Sequence, residues 1–222
     1  MEQLFGGNKR IQAVMEYAGV QCAGSGTTTP AGRIPGNKES LLRNVVERAK
    51  ELGAWIPDIG SIVDRVIGNG QENDVFISVD GQNVIKLNNF ALLSSEAVSL
   101  DGFVHRLISH NTLFPECAYT IIGFTSNGDN EPCAVLRQPY IKAERYATDS
   151  EIDAFLESCG YSVDMDDIWF DGQFEISDVK SSNVLVDGNG NLHFIDAVVN
   201  DVSIKVDRIN RISVKHPGKR LS

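Results

Sequence analysis

The stretch Ile176-Ser-Asp-Val-Lys-Ser-Ser-Asn-Val-Leu-Val-Asp-Gly-Asn-Gly-Asn-Leu-His-Phe-Ile-Asp196 decides how the chain is read. Asp178, Lys180 and Asn183 stand in a D-x-K-x-x-N spacing. Two short apolar runs, NVLV and NLHFID, flank Asp187-Gly-Asn-Gly190, a turn sequence that folds them into a hairpin. Asp196 follows Asn183 by 13 positions, the span of one short hairpin. Closing the hairpin therefore makes the two side chains neighbours. Both offer oxygen, the donor that Mg²⁺ takes. Asp178 lies about one loop away, placed to accept a proton from a hydroxyl nucleophile. At average residue usage this set arises by chance on the order of once in several hundred chains of this length.

Working outward, VFISV and NVIKL flank Asp80-Gly81, a second hairpin. Its register sets Val79 opposite Gln82, Ile77 opposite Val84, and Val75 opposite Lys86. Side chains alternate along a strand, so Val75, Ile77, Val84 and Lys86 share one face. A lone lysine on such a face more often snorkels to water than holds a ligand. Residues 95–110 read as a helix with Val98, Phe103, Leu107 and Ile108 inward, and Asp101-Gly102 marks an alternative start. YTIIGF (119–124) and CAVLRQ (133–138) read as strands. Thr148 and Glu151 form a capping box ahead of the stripe Ile152, Phe155, Leu156 and Cys159, which Gly160 stops. Towards the N-terminus, residues 19–38 are rich in Gly, Thr, Ser and Pro and read as a flexible connection between a short helix at 8–18 and an amphipathic helix. Leu41, Leu42, Val45, Val46, Ala49 and Leu52 give the second helix its face, and Gly53 ends it. Residues 1–60 read as an accessory helical segment packing on the main domain.

The whole chain has 20 Lys and Arg against 30 Asp and Glu, a net charge of −10 over 222 residues. That balance argues against nonspecific binding of nucleic acid or of an anionic membrane. The charge is local. Residues 145–200 carry 12 Asp and Glu against two Lys and Arg, whereas 205–222 is basic. An acidic stretch of this kind favours a divalent metal and a cationic partner. Cys22, Cys117, Cys133 and Cys159 form no CxxC pair, which leaves free thiols in a reducing compartment as the simplest reading. The four histidines show no metal-ligand spacing. The acidic residues Asp164, Asp166 and Asp167 read as a solvated loop, and Trp169 and Phe170 as core anchors. No signal peptide and no apolar run of membrane length is expected. The expected location is the cytoplasm.

Asp178-Val-Lys180-Ser-Ser-Asn183 resembles the catalytic loop of the protein-kinase-like superfamily, and Asp196 resembles that superfamily's metal-binding aspartate. Gly68-Asn-Gly70-Gln-Glu-Asn-Asp-Val75 resembles the glycine-rich loop, Asn-Val-Ile-Lys86 the strand lysine, and Arg137-Gln138-Pro139-Tyr140 the hinge. NVIKLNNF, SHNTLFPECAYTIIGF, LRQPYI and the opening stretch are together similar to the kinase-like domain of bacterial polyvalent proteins, large fusions carried by phages and conjugative elements. The resemblance covers roughly residues 66–200.

The resemblance implies an α+β class and a compact two-lobed protein-kinase-like fold with a truncated C-lobe. Its parts would be a helical extension at 1–60, an N-lobe and hinge at 61–141, and a minimal C-lobe with a basic tail at 142–222. It implies ATP and Mg²⁺. By resemblance, Lys86 would hold the α- and β-phosphates and the backbone at Gly68 and Gly70 would cover them. Val75 and Val84 would roof the adenine, Leu185 would floor it, and the backbone near Gln138 and Tyr140 would read its edge. Asn183 and Asp196 would bind Mg²⁺, Asp178 would orient the acceptor hydroxyl, and Lys180 would stabilise charge on the γ-phosphoryl group. Glu96, with Asp101 as the alternative, would pair with Lys86.

There are departures from the family pattern. Ile176-Ser177 replaces the His-Arg before the catalytic aspartate, Ala197-Val198 replaces the Phe-Gly after the metal aspartate, and Asn73 replaces the third loop glycine. Few residues follow Asp196, which leaves no room for the large helical part of a kinase C-lobe. Three functions remain open. One is an ATP/Mg-dependent phosphotransferase acting on an unidentified hydroxyl. The second is an inactive pseudokinase or nucleotide-binding interaction module, working with other domains of a larger polyvalent protein. The third is a small-molecule kinase.

Overall fold

A computed structural model describes residues 1–19, 38–70, 72–90, 100–164 and 167–203. Among the described residues the fold mixes four α-helices with antiparallel sheets, an α+β arrangement. The basic tail beyond 203 and most of the Gly/Thr-rich connection lie outside the described residues, as do Glu96, Asp166 and Cys22.

The largest sheet has the order β1 (Val63–Asn69), β2 (Asn73–Ser78), β3 (Asn83–Asn88), β5 (Pro132–Pro139), β4 (Thr120–Ser126). The hairpin β2–β3 has the register read from its alternation, with Val75 opposite Lys86 and Ile77 opposite Val84. Its turn occupies residues 79–82, with Gly81 at φ +66, a conformation that suits a residue without Cβ. Alternation then sorts the sheet into two faces. Ile85, Leu87, Cys133 and Val135 form one small core with Ile56, Ile59 and Ile62. Ala134 and Leu136 point the other way, towards the helices.

The helices are α1 (Lys9–Tyr17), α2 (Lys38–Glu51) and α3 (Asp101–Leu113). Ile11, Val14 and Met15 of α1 and Leu42, Val45 and Ala49 of α2 share one core with Phe103 and Leu107 of α3 and with Ile121 and Phe124 of β4. The helix expected over 95–110 thus starts at Asp101 and runs on to Leu113. Residues 54–56 then tie α2 to the sheet edge. The Ile56 amide donates to Phe124 O at 2.8 Å, and the Phe124 amide donates to Ala54 O at 3.0 Å. The close approach needs Gly123, where a Cβ would lie 2.8 Å from Ile56 Cδ1 and 3.0 Å from Ala54 O.

Beyond β5 come β6 (Ala143–Tyr146), α4 (Asp149–Ser158), β7 (Ser162–Val163), β8 (Trp169–Phe170), β9 (Phe174–Ser177), β10 (Val184–Asp187), β11 (Leu192–Phe194) and β12 (Val198–Asp201). They form two small sheets, β11-β10-β6 and β12-β9-β8-β7. The capping box opens α4, with Thr148 and Glu151 bonded reciprocally. Ile152, Leu156, Ile176, Val184, Phe194 and Val199 belong to a second core. Trp169 is buried in it, but Phe170, its neighbour on a two-residue strand, faces the other way and is exposed. Phe114, just past α3, stacks on Phe194 with ring centroids 4.5 Å apart and so joins α3 to this core.

Candidate active site

The loop from Ser177 to Asn183 is held by its own polar groups. Asp178 sits at φ +54, the left-handed region that Asp and Asn enter more readily than other residues. The Asn183 side-chain amide donates to Asp178 O at 2.9 Å and to Asp178 Oδ2 at 3.1 Å. Lys180 Nζ pairs with Asp178 Oδ1 at 2.8 Å, which raises the lysine pKa. The hairpin then closes as its sequence implies. Asp187 accepts from the Asn189 and Asn191 amides at 2.9 Å each, fixing the turn, and His193 is within 3.2 Å of its other oxygen. At the open end the Ile195 amide donates to Asn183 O at 2.9 Å, so Asp196 follows directly beside Asn183.

Lys86 reaches Asp196 across the boundary between the two cores. Its ammonium, on a residue only 4% exposed, lies 2.9 Å from Asp196 Oδ1, 2.9 Å from Ile195 O and 3.2 Å from the Tyr119 hydroxyl. An ammonium has three donors, and these contacts use all of them. Tyr119 OH is itself within 2.9 Å of Ile195 O and 3.0 Å of Asp196 Oδ1. Burial pushes the Tyr119 hydroxyl well above its ordinary pKa, and Asp196 pushes it further, so it remains a neutral donor. Burial also raises the Asp196 carboxyl. The Lys86 charge and the hydrogen bonds from Lys86 and Tyr119 outweigh that, and Asp196 stays ionised with its pKa lowered. Beneath them His110, 1% exposed, is within 3.0 Å of Phe194 O through Nε2. Burial lowers its pKa to about 4, so the ring is neutral at pH 7.

These groups border a cleft of about 640 Å³, within the range of pockets that take nucleotide-sized ligands. Of the residues singled out in the sequence, Gly68, Gly70, Val75, Asp178, Lys180, Asn183 and Asp196 line it. Lys86 is not in the lining but is bonded to Asp196, which is. Val84, Gln138, Tyr140 and Leu185 are not in the lining. The Gln138 side chain donates to Cys117 O at 2.6 Å, and the Tyr140 amide donates to Gln82 O at 2.9 Å. Leu185 is on β10 opposite Tyr146. Glu96 lies outside the described residues, and Asp101 begins α3.

Sequence reasoning passes over Glu72, Arg106, His110 and Tyr119, all of which line the cleft. For two of them a signal is present. Phe103, Leu107 and His110 mark the buried stripe of α3, and Arg106 stands three residues from Phe103 on that side. Glu72 sits inside the glycine segment already singled out. Burial raises its pKa, the negative fields of Asp196 and Asp178 add to that, and Arg106 opposes it.

The donors fit Mg²⁺. Asp196 offers carboxylate oxygens; the Asn183 amide nitrogen is committed to Asp178, and its oxygen, which accepts from Ser182 Oγ at 3.4 Å, keeps a second lone pair for a metal. Among the described residues no group of three His, Cys, Asp or Glu is placed to hold a metal by itself. Mg²⁺ characteristically takes one or two protein oxygens and completes its shell with water and phosphate.

A family model described as serine/threonine/tyrosine kinase found in polyvalent proteins matches residues 37–201. The match begins one residue before α2 and ends on the last residue of β12, so α2 and the 54–56 strap fall inside it and α1 outside. The resemblance read from the sequence begins only near residue 66. A search of curated proteins found no match.

Proposed function

The chain belongs to the family of serine/threonine/tyrosine kinases found in polyvalent proteins, and we propose that it transfers the γ-phosphoryl group of ATP to a hydroxyl acceptor in the cleft. The observation that carries this reading is the meeting of Asp178, Asn183 and Asp196, from one contiguous loop and hairpin, with Lys86 from a different sheet. Two lobes belong to the same reading. Residues 61–141 form the first with its hinge, and the residues from 142 onward form a small second lobe.

In the proposed reaction the acceptor oxygen bonds to the γ-phosphorus, the bond to the β–γ bridging oxygen breaks, and ADP leaves. The hydroxyl proton passes to an Asp178 carboxylate oxygen, which the Asn183 amide and Lys180 keep oriented. Lys180 also brings positive charge towards the transferring group. Asp196 and Asn183 would hold Mg²⁺, which would supply positive charge to offset that of the phosphates. The acidity of residues 145–200 favours an acceptor of basic character. Cys117, Cys133 and Cys159 are free thiols, in keeping with the cytoplasm, and no helix among the described residues is long and apolar enough to cross a membrane.

A nucleotide-binding module without transfer is the second reading. The direct Lys86–Asp196 pair favours it, because each charge is already compensated by the other. Both readings require ATP to bind through its metal. Calorimetric titration with ATP is expected to show tighter binding with Mg²⁺ than without it in the wild type, and no Mg²⁺ effect in Asp196→Asn. Wild-type binding that ignores Mg²⁺, or no binding, overturns both.

A further inference from the structure

All three donors of Lys86 are taken by Asp196, Ile195 O and Tyr119, and its side chain does not line the cleft. Lys180 does line it, but its charge is held 2.8 Å from Asp178. Arg106 is the third cation at this place. It stands on α3 and lines the cleft together with Gly68, Gly70, Glu72 and Asn73. Its Nε donates to the Gly102 carbonyl at 3.4 Å, and among the described residues no carboxylate lies within ion-pair distance of it. The field of Glu72 reaches it from farther off, and burial disfavours its charge. A half-buried guanidinium without a close counter-charge loses hydration that nothing among the described residues replaces. It also presents a planar fork of donors that matches phosphate oxygens two at a time. The surrounding carboxylates Glu72, Asp178 and Asp196 would repel a triphosphate, so a cation in this wall decides whether one can enter.

We propose that Arg106 is a cation that receives the phosphates of the nucleotide from the α3 wall of the cleft. This assignment rests on the kinase reading of the cleft. The full chain and its Arg106→Met and Arg106→Lys variants are titrated with ATP in Mg²⁺ by calorimetry. Adenosine, followed by ligand-observed NMR, reports on the nucleoside part alone. A charge-assisted pair of hydrogen bonds lost from the complex reduces ATP affinity roughly 10- to 100-fold in Arg106→Met, with adenosine binding unchanged. Arg106→Lys keeps the charge and loses the fork, and is expected to lose ATP affinity about fivefold. If Arg106→Met does not fold, the lysine variant decides: a loss confined to ATP supports the assignment. ATP binding equal to wild type in either folded variant overturns it and leaves the kinase reading standing. No ATP binding by the wild type overturns both.

Discussion

At the residue scale, Tyr119 shapes the surroundings of Lys86 and Asp196. Its neutral, buried hydroxyl bonds to both Lys86 and Asp196 without adding a third charge beside them. Tyr119→Phe is therefore expected to cost about 1–3 kcal/mol in denaturant unfolding, because it strands a Lys86 donor and leaves Ile195 O with one partner fewer. His110 gives a second test. The groups facing it are Lys86, Asp196 and the Tyr119 ring, and its folded pKa of about 4 lies below the unfolded 6.5. The unfolded chain thus binds the proton more readily than the folded one. Stability is fully present above pH 6.5 and is lost as pH falls from there towards 4. Relative to His110→Gln, the wild type should lose on the order of 3 kcal/mol across that window, measured by urea melts at successive pH values. Equal slopes for the two proteins would remove this role for His110.

At the element scale, the 54–56 strap shows why α2 belongs to the matched region. It pairs with the edge strand β4 through two backbone hydrogen bonds and covers an edge that would otherwise be open. Gly123→Ala places a methyl group against a backbone carbonyl that cannot swing aside. Thermal or urea melts should show a loss of about 1–3 kcal/mol. A variant as stable as wild type would mean that the strap shifts freely. The same reasoning applies to α1, whose Ile11, Val14 and Met15 are fully buried although the helix precedes the family match. Met15→Ala should cost about 2–5 kcal/mol, as in a core position, rather than the few tenths of an exposed one.

For the whole molecule, legibility in the sequence tracks the sequence separation of the contacts. The loop and hairpin of residues 176–196 span 21 residues, and local turn chemistry dictates their closure, so Asp178, Asn183 and Asp196 are readable as a group. The register of β2–β3 is readable for the same reason, since one hairpin sets it. The Lys86–Asp196 pair spans 110 residues, and the sequence reading does not contain it. Tyr119 is hidden inside an apolar run that reads equally well as plain strand, and Arg106 inside a helix whose start the sequence leaves open between 95 and 101. Two small cores meeting through α3 produce these contacts, and no local pattern reports such a meeting.

Phosphoryl transfer itself is read most directly by incubating the full chain with γ-labelled ATP, Mg²⁺ and a mixture of basic polypeptides, with the chain itself as a further acceptor. Wild type is expected to transfer label. Asp178→Asn is expected to transfer at least about 100-fold more slowly while binding ATP as wild type does, because only the proton-accepting group has changed. Equal transfer by the two proteins, or a wild type that binds ATP·Mg²⁺ and labels nothing, would contradict a kinase active site in this cleft.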